Sequence, residues 1–311
     1  MRVLAVVLRA VVVGLLVVVA GHAVAVAAPE RISHEQLPFL PGISSLPGTE
    51  PADVQAVAAE LADGNTGAVR WSRQANTRVP MASITKVMTA LVVLESSDLD
   101  RAITVPQEII GYDGKYGAST AGLVPGEVLT ARQLLAAMLL PSGCDAAYTL
   151  AESYGPGQDA FVAKMNDTAQ RLGMADSHFT DPSGLPNPTD DSTYSTPADL
   201  VALGMRAMSQ PVFRDIVRQQ SFHMPAGPDN RDHVWQTTNR LLHDYPGTVG
   251  IKTGSTDAAG MCLLFEATRF GQPLIGVVLH SSDDSGAVAE DDAEHMLNWG
   301  FGPVLSALPI G

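Results

Sequence analysis

The sequence predicts a two-lobed α+β fold, with an antiparallel sheet assembled from the N- and C-terminal segments, flanking helices, and an all-α lobe from the middle of the chain. Three observations carry this expectation. Strand-like runs lie at residues 54–61 and 68–71, around the turn Asp63-Gly-Asn-Thr-Gly67, and return only in the last third of the chain. The long stretch between them has helical periodicity broken by Gly- and Pro-rich loops. The chain then closes on an amphipathic helical pattern at 287–299, so the terminal strands must meet in one sheet.

Taken in order, residues 1–28 read as a signal peptide: Arg2 and Arg9, an apolar run, then the small-residue cleavage candidates Ala23-Val-Ala25 and Ala25-Val-Ala27. The run is also nearly long enough to remain as an N-terminal membrane anchor. Residues 29–50, rich in Pro, Gly and Ser, read as a linker or arm. The hairpin at 54–71 follows, and then Pro80 announces a helix carrying Ser83. Residues 101–127 hold five glycines and are expected to be mostly loop. Helices are expected at 129–140, stopped by Pro141, at 146–153 and at 161–172; a long turn-rich stretch at 176–193 contains Asp181-Pro-Ser-Gly-Leu185. Ser195-Thr-Pro-Ala-Asp199 supplies a cap, a proline and an early acid for another helix. Strands are expected at Gly250-Ile-Lys-Thr-Gly254, at 261–270 and at 273–280, the last two joined at Gly271-Gln272. The expected domain is thus 51–303, with a helical lobe inserted at about 97–230 and a tail at 304–311.

Of 311 residues, 46% are hydrophobic and 17% charged, which fits a compact globular chain. A net charge of -14 without a basic stripe argues against nucleic acid. Eight histidines lack metal-ligand spacing, so neither a metal nor any other cofactor is expected. Cys144 and Cys262 are the only cysteines and would suffice for one disulfide in an oxidising compartment.

The chemistry centres on Met81-Ala-Ser-Ile-Thr-Lys-Val-Met-Thr-Ala90. On a helix, Ser83 and Lys86 share a face, placing a nucleophile beside a base. Only four of the nineteen basic residues are lysine (Lys86, Lys115, Lys164 and Lys252) in a chain that otherwise uses arginine, a side chain that cannot serve as a base. Ser142, in Pro141-Ser-Gly-Cys-Asp145, sits on a turn between two helices, equally suited to capping and to projecting a hydroxyl into a cleft.

Ser83-x-x-Lys86, Ser142-Gly-Cys144 and Lys252-Thr-Gly254, in this order and on these elements, resemble the motifs of the penicillin-binding serine D,D-peptidases, the low-molecular-weight D-alanyl-D-alanine carboxypeptidase and transpeptidase family. The resemblance spans about 51–301 and implies the penicillin-binding/serine β-lactamase-like fold. It implies an exported enzyme of the cell wall or periplasmic space, secreted or membrane-associated, acting on peptidoglycan stem peptides that end in D-Ala-D-Ala and inhibited by β-lactams. In that reading Ser83 attacks the carbonyl and becomes an acyl-enzyme, Lys86 takes its proton, and Ser142 relays a proton to the leaving amine. The amides of Ser83 and Ser255 form an oxyanion hole, Lys252 and Thr253 bind the terminal carboxylate, and Gly254 keeps the strand open for a peptide. Cys144 departs from the family's usual Asn, and a thiol cannot replace an amide that both donates and accepts; it is expected to border the cleft and stay reduced. Two other functions compete. A class A β-lactamase needs a Glu-x-x-Leu-Asn before the third motif, whereas Glu294-His-Met-Leu-Asn298 lies after it. A non-catalytic β-lactam sensor or wall-binding domain would acylate without releasing D-alanine.

Overall fold

The computed structural model describes residues 50–307, apart from 97 and 117. The leader expected at 1–28 and nearly all of the arm at 29–50 lie outside the described residues. In chain order the elements are β1 (Ala58–Asp63), β2 (Val69–Arg73), β3 (Val79–Pro80), a 3-10 turn (Ala82–Ile84), α1 (Thr85–Glu95), β4 (Ala102–Thr104), α2 (Ile109–Tyr116), β5 (Val128–Thr130), α3 (Ala131–Leu139), α4 (Cys144–Tyr154), α5 (Gln158–Arg171), β6 (Tyr194–Ser195), α6 (Pro197–Met208), α7 (Pro211–Val217), β7 (Ser221–Met224), β8 (His233–Gln236), α8 (Leu241–Asp244), β9 (Thr248–Thr256), β10 (Gly260–Arg269), β11 (Gln272–Leu279) and α9 (Gly286–Ala307), which breaks at Gly302.

Both ends of the chain meet in one antiparallel sheet of order β2-β1-β11-β10-β9, as the terminal strand patterns require. β1 and β11 are interior strands buried along nearly their whole length, which is why β11 reads as a continuous apolar run from Leu274 to Leu279, while β1 buries Glu60 among its apolar residues. β2 forms one edge and is mostly exposed. Phe270 and Gly271, both with positive φ (48° and 76°), make the two-residue turn from β10 to β11. One face of the sheet is covered by α9, whose Ala293, Met296 and Leu297 pack among Leu61, Leu263, Phe265 and Val278. Each of the larger of these buried side chains contributes about 1.5–3 kcal/mol. The other face meets α6 and merges with the helical core around α1. Nine consecutive residues of α1, from Thr85 to Val93, are buried, so it is the central helix of the molecule.

Local signals set the flanking helices. Thr130 and Gln133 form a capping box on α3, and Thr196 caps α6 just ahead of Pro197. The stretch 101–127, expected to be mostly loop, contains β4 and α2. Gly111 and Gly114 lower helix propensity, but packing overrides it: Ile109 is buried and α2 lies against α4. The middle of the chain, expected to be helix and loop alone, also carries the short ribbons β3–β6, β4–β5 and β7–β8.

Candidate active site

Ser83 lies in the 3-10 turn that feeds α1, and Ala82 before it holds a left-handed φ of 46°. Such a conformation costs about 1–3 kcal/mol outside glycine and gathers at functional sites. One turn on, Lys86 is completely buried. No ion pair forms at Lys86 or Lys252 among the described residues. The Lys86 Nζ instead donates to Ser83 Oγ at 2.7 Å, to the backbone carbonyl of Ser183 at 3.0 Å and to Cys144 Sγ at 3.3 Å. A hydroxyl thus sits against an amine that has no carboxylate to hold its charge, the arrangement a general base for serine needs.

Ser142 and Cys144 arrive from the turn between α3 and α4. Ser142 also has a left-handed φ, 66°, and is buried at the floor of the cleft. The turn is held by Asp145, the first acid of α4, whose buried carboxylate accepts from the amides of Ala121 (2.9 Å) and Leu123 (3.0 Å) and from Thr120 Oγ1 (2.6 Å). The Cys144 amide donates to the Ser119 carbonyl at 2.8 Å. Asp145 therefore fixes the loop that brings Ser119 into the cleft.

The third motif lies on β9, opposite β10. Thr253, Gly254 and Ser255 line the cleft. Lys252 does not: its Nζ is buried and donates to the Thr253 carbonyl at 2.9 Å. Burial, and then the neighbouring charge of Lys86, hold the Lys252 amine well below the usual lysine range. Thr253 Oγ1 hydrogen-bonds Thr238 Oγ1 at 2.6 Å. A Cβ on Gly254 would stand 2.9 Å from the Met81 carbonyl oxygen and 3.1 Å from the Ser83 amide nitrogen, so only glycine lets β9 approach the nucleophile turn this closely.

The cleft extends to either side of Ser83. A region of about 460 Å³ reaches Thr238, Thr253 and Arg240, and one of about 320 Å³ reaches Cys144, Gly184, Leu185 and Pro186. Arg240 is the basic side chain of the larger region, with Glu290 and Asp244 each 3.7 Å away. The two cysteines are both free and buried. Cys144 borders the cleft, as expected, while Cys262 donates to the Ala259 carbonyl at 3.3 Å and its thiol is pushed up to about 12 by burial. No group of three or more His, Cys, Asp or Glu side chains suited to a metal ion occurs among the described residues.

All eight sequence candidates converge within this region. Sequence reasoning missed Ser183, Thr238, Arg240 and Asp145, although Ser183 and Asp145 stood in the stretches Asp181-Pro-Ser-Gly-Leu185 and Pro141-Ser-Gly-Cys-Asp145 already singled out. Residues 46–283 match the D-alanyl-D-alanine carboxypeptidase family, peptidase S11. The chain belongs to that family. It is 38% identical over 265 residues to a D-alanyl-D-alanine carboxypeptidase of Streptomyces sp. strain K15, covering 81% of this chain and 89% of the relative. It is 40% identical over 242 residues to D-alanyl-D-alanine carboxypeptidase DacB2 of Mycobacterium tuberculosis, covering 78% and 80%. The crystal structure of the Streptomyces K15 DD-transpeptidase superposes with a TM-score of 0.76 at 37% identity, over 81% of this chain and 99% of that one. Family membership agrees with the fold expected from the three motifs, and within the family fold Glu294 lies on α9, outside the residues that line the cleft.

Proposed function

We propose that this chain is an exported serine D,D-peptidase that opens the terminal D-Ala-D-Ala bond of peptidoglycan stem peptides through an acyl-enzyme on Ser83. The observation that carries the reading is the 2.7 Å contact between Ser83 Oγ and a buried Lys86 Nζ that has no carboxylate partner among the described residues. Ser83 Oγ adds to the penultimate D-alanine carbonyl as Lys86 accepts its proton, and the amides of Ser83 and Ser255 meet the developing oxyanion. The C–N bond then breaks. Ser142 delivers a proton to the leaving amine, free D-alanine departs, and water or an amine takes the acyl group. The leaving residue's carboxylate fits the larger arm of the cleft, whose lining includes Thr253, Thr238 and Arg240. Lys252 contributes without lining the cleft, from a buried position close to Lys86 and Cys144, because an anion at Thr253 favours its protonated form.

A β-lactam presents a strained amide and a carboxylate to the same groups and would acylate Ser83. Rapid β-lactam turnover is not expected, since Glu294 does not line the cleft. The exported location rests on the N-terminal sequence. No helix among the described residues is long and apolar enough to cross a membrane.

The test is to incubate purified protein with a diacetyl-L-lysyl-D-alanyl-D-alanine tripeptide, with and without a glycine-type acceptor, and follow the products by mass spectrometry. Hydrolysed dipeptide with free D-alanine identifies a carboxypeptidase, and an amide product identifies transfer. Acylation by penicillin with no D-alanine release under either condition contradicts the proposal and favours a sensor.

A further inference from the structure

Lys86 holds three contacts, and they are unequal acceptors. Ser83 Oγ is the reacting atom and Cys144 Sγ is a weak acceptor. The strong, unreactive acceptor is the backbone carbonyl of Ser183, at 3.0 Å. What aims that carbonyl is written in Asp181-Pro-Ser-Gly-Leu185, a motif to which the reaction assigns no task. The Asp181 carboxylate is buried, and its Oδ1 accepts from the amides of Ser183 (2.7 Å), Gly184 (2.9 Å) and Leu185 (3.2 Å) and from Ser183 Oγ (2.7 Å). The Gly184 N–H and the Ser183 C=O belong to one planar trans peptide unit and point in opposite directions. A carboxylate gripping the N–H therefore turns the C=O outward, toward Lys86.

The carboxylate is itself held. Tyr112, from α2, donates to Asp181 at 2.8 Å, and its phenol oxygen stands 2.6 Å from Ser183 Oγ. Burial, and then the Asp181 charge, push the phenol well above its ordinary range, so it remains a donor. Two further contacts seat the turn on the nucleophile helix. Thr89, one turn beyond Lys86, donates to the Pro182 carbonyl at 2.5 Å. Gly184, with φ 84°, lies where a Cβ would meet the Ala82 carbonyl oxygen at 2.0 Å.

We infer that Asp181 and Tyr112 form a positioning clamp for the general base: they orient the Ser183 carbonyl, which fixes the Lys86 amine against Ser83 where Cys144 cannot. The inference rests on the proposed roles of Ser83 and Lys86 and adds two positioning residues, neither of which lines the cleft. It predicts a loss in the chemical step rather than in binding, and recovery when the acceptor oxygen is restored without the charge.

The experiment uses the full chain, with a fluorescent penicillin for the acylation rate, the tripeptide for kcat and KM, and thermal melting for integrity. Asp181→Ala is expected to acylate about a hundredfold more slowly, the scale of a base displaced by about 1 Å, with KM within about twofold. Asp181→Asn, whose amide oxygen still accepts from the turn and from Tyr112, is expected within about fivefold of the parent. Tyr112→Phe keeps the ring against Tyr148 and is expected to lose about tenfold, the scale of one hydrogen bond to a charged group. The clamp is overturned if Asp181→Ala acylates within about threefold of the parent, if kcat and KM deteriorate together, or if Asp181→Asn does no better than Asp181→Ala. Should Asp181→Ala not fold, Tyr112→Phe decides, and a parental rate there overturns the clamp. Ser83→Ala is run alongside: labelling that persists in it sinks the nucleophile assignment, whereas a silent Ser83→Ala with fully active clamp variants sinks the clamp alone.

Discussion

At the scale of single residues, the site is a problem of buried charge. Lys86 and Lys252 are both buried, neither forms an ion pair among the described residues, and the charge of Lys86 adds to burial in holding the Lys252 amine low. The nearby Asp113 takes the complementary strain. Burial, reinforced by the charge of Asp145 and offset by that of Lys86, raises its carboxyl from 3.8 to about 6, and its Oδ1 is buried with no hydrogen-bond partner. Between those two values the folded chain keeps a proton that the unfolded chain has released. Stability therefore falls as pH rises through that window, and the penalty is complete above about pH 6. Asp113→Asn removes it. Partial solvent screening leaves about 1–2 kcal/mol of the full linkage value, so melting at pH 8 should rise by roughly 2–6 °C. At pH 4 the variant and parent should melt nearly together. An equal gain at both pH values would contradict the assignment.

At the scale of elements, three pieces of backbone meet at Ser83: the 3-10 turn, β9 and the 181–185 turn. Their contact depends on glycine where β9 crosses the nucleophile turn, so Gly254→Ala must push the strand away from the Ser83 amide. We expect it to slow penicillin acylation by about a hundredfold, at a stability cost of about 1–3 kcal/mol for overpacking. Acylation kinetics beside a denaturant titration would check this; a parental acylation rate would mean that the seam does not shape the oxyanion site. These elements were unequally legible. The β10–β11 hairpin and the capped α6 announce themselves through Gly271, Thr196 and Pro197, because turn and cap chemistry is local. Ser83, Lys86, Ser142 and Cys144 could be named because side-chain motifs have letters. The Ser183 carbonyl could not, since every residue carries one and only the fold decides which points at a lysine. α2 was hidden by Gly111 and Gly114, and the inward turn of Lys252 by the fact that a strand pattern gives the face of a residue but not where a long side chain ends.

At the scale of the whole molecule, the two ends of the chain close one sheet, and the helices inserted between them bring Ser142, Cys144 and Ser183 to a nucleophile anchored beside that sheet. The active centre therefore exists only when segments more than a hundred residues apart have joined, and disruption on either side should abolish acylation and native melting together. The net charge of -14 makes the surface unsuited to polyanions, and Arg240 stands out as the positive side chain in the larger arm of the cleft. The measurement that tests the account most directly is intact mass spectrometry of the protein after exposure to benzylpenicillin, followed by peptide mapping. The account predicts one long-lived penicilloyl adduct per chain, on Ser83, absent from Ser83→Ala and strongly slowed in Lys86→Ala. An adduct on another residue, or none on a protein that melts cooperatively, would contradict it.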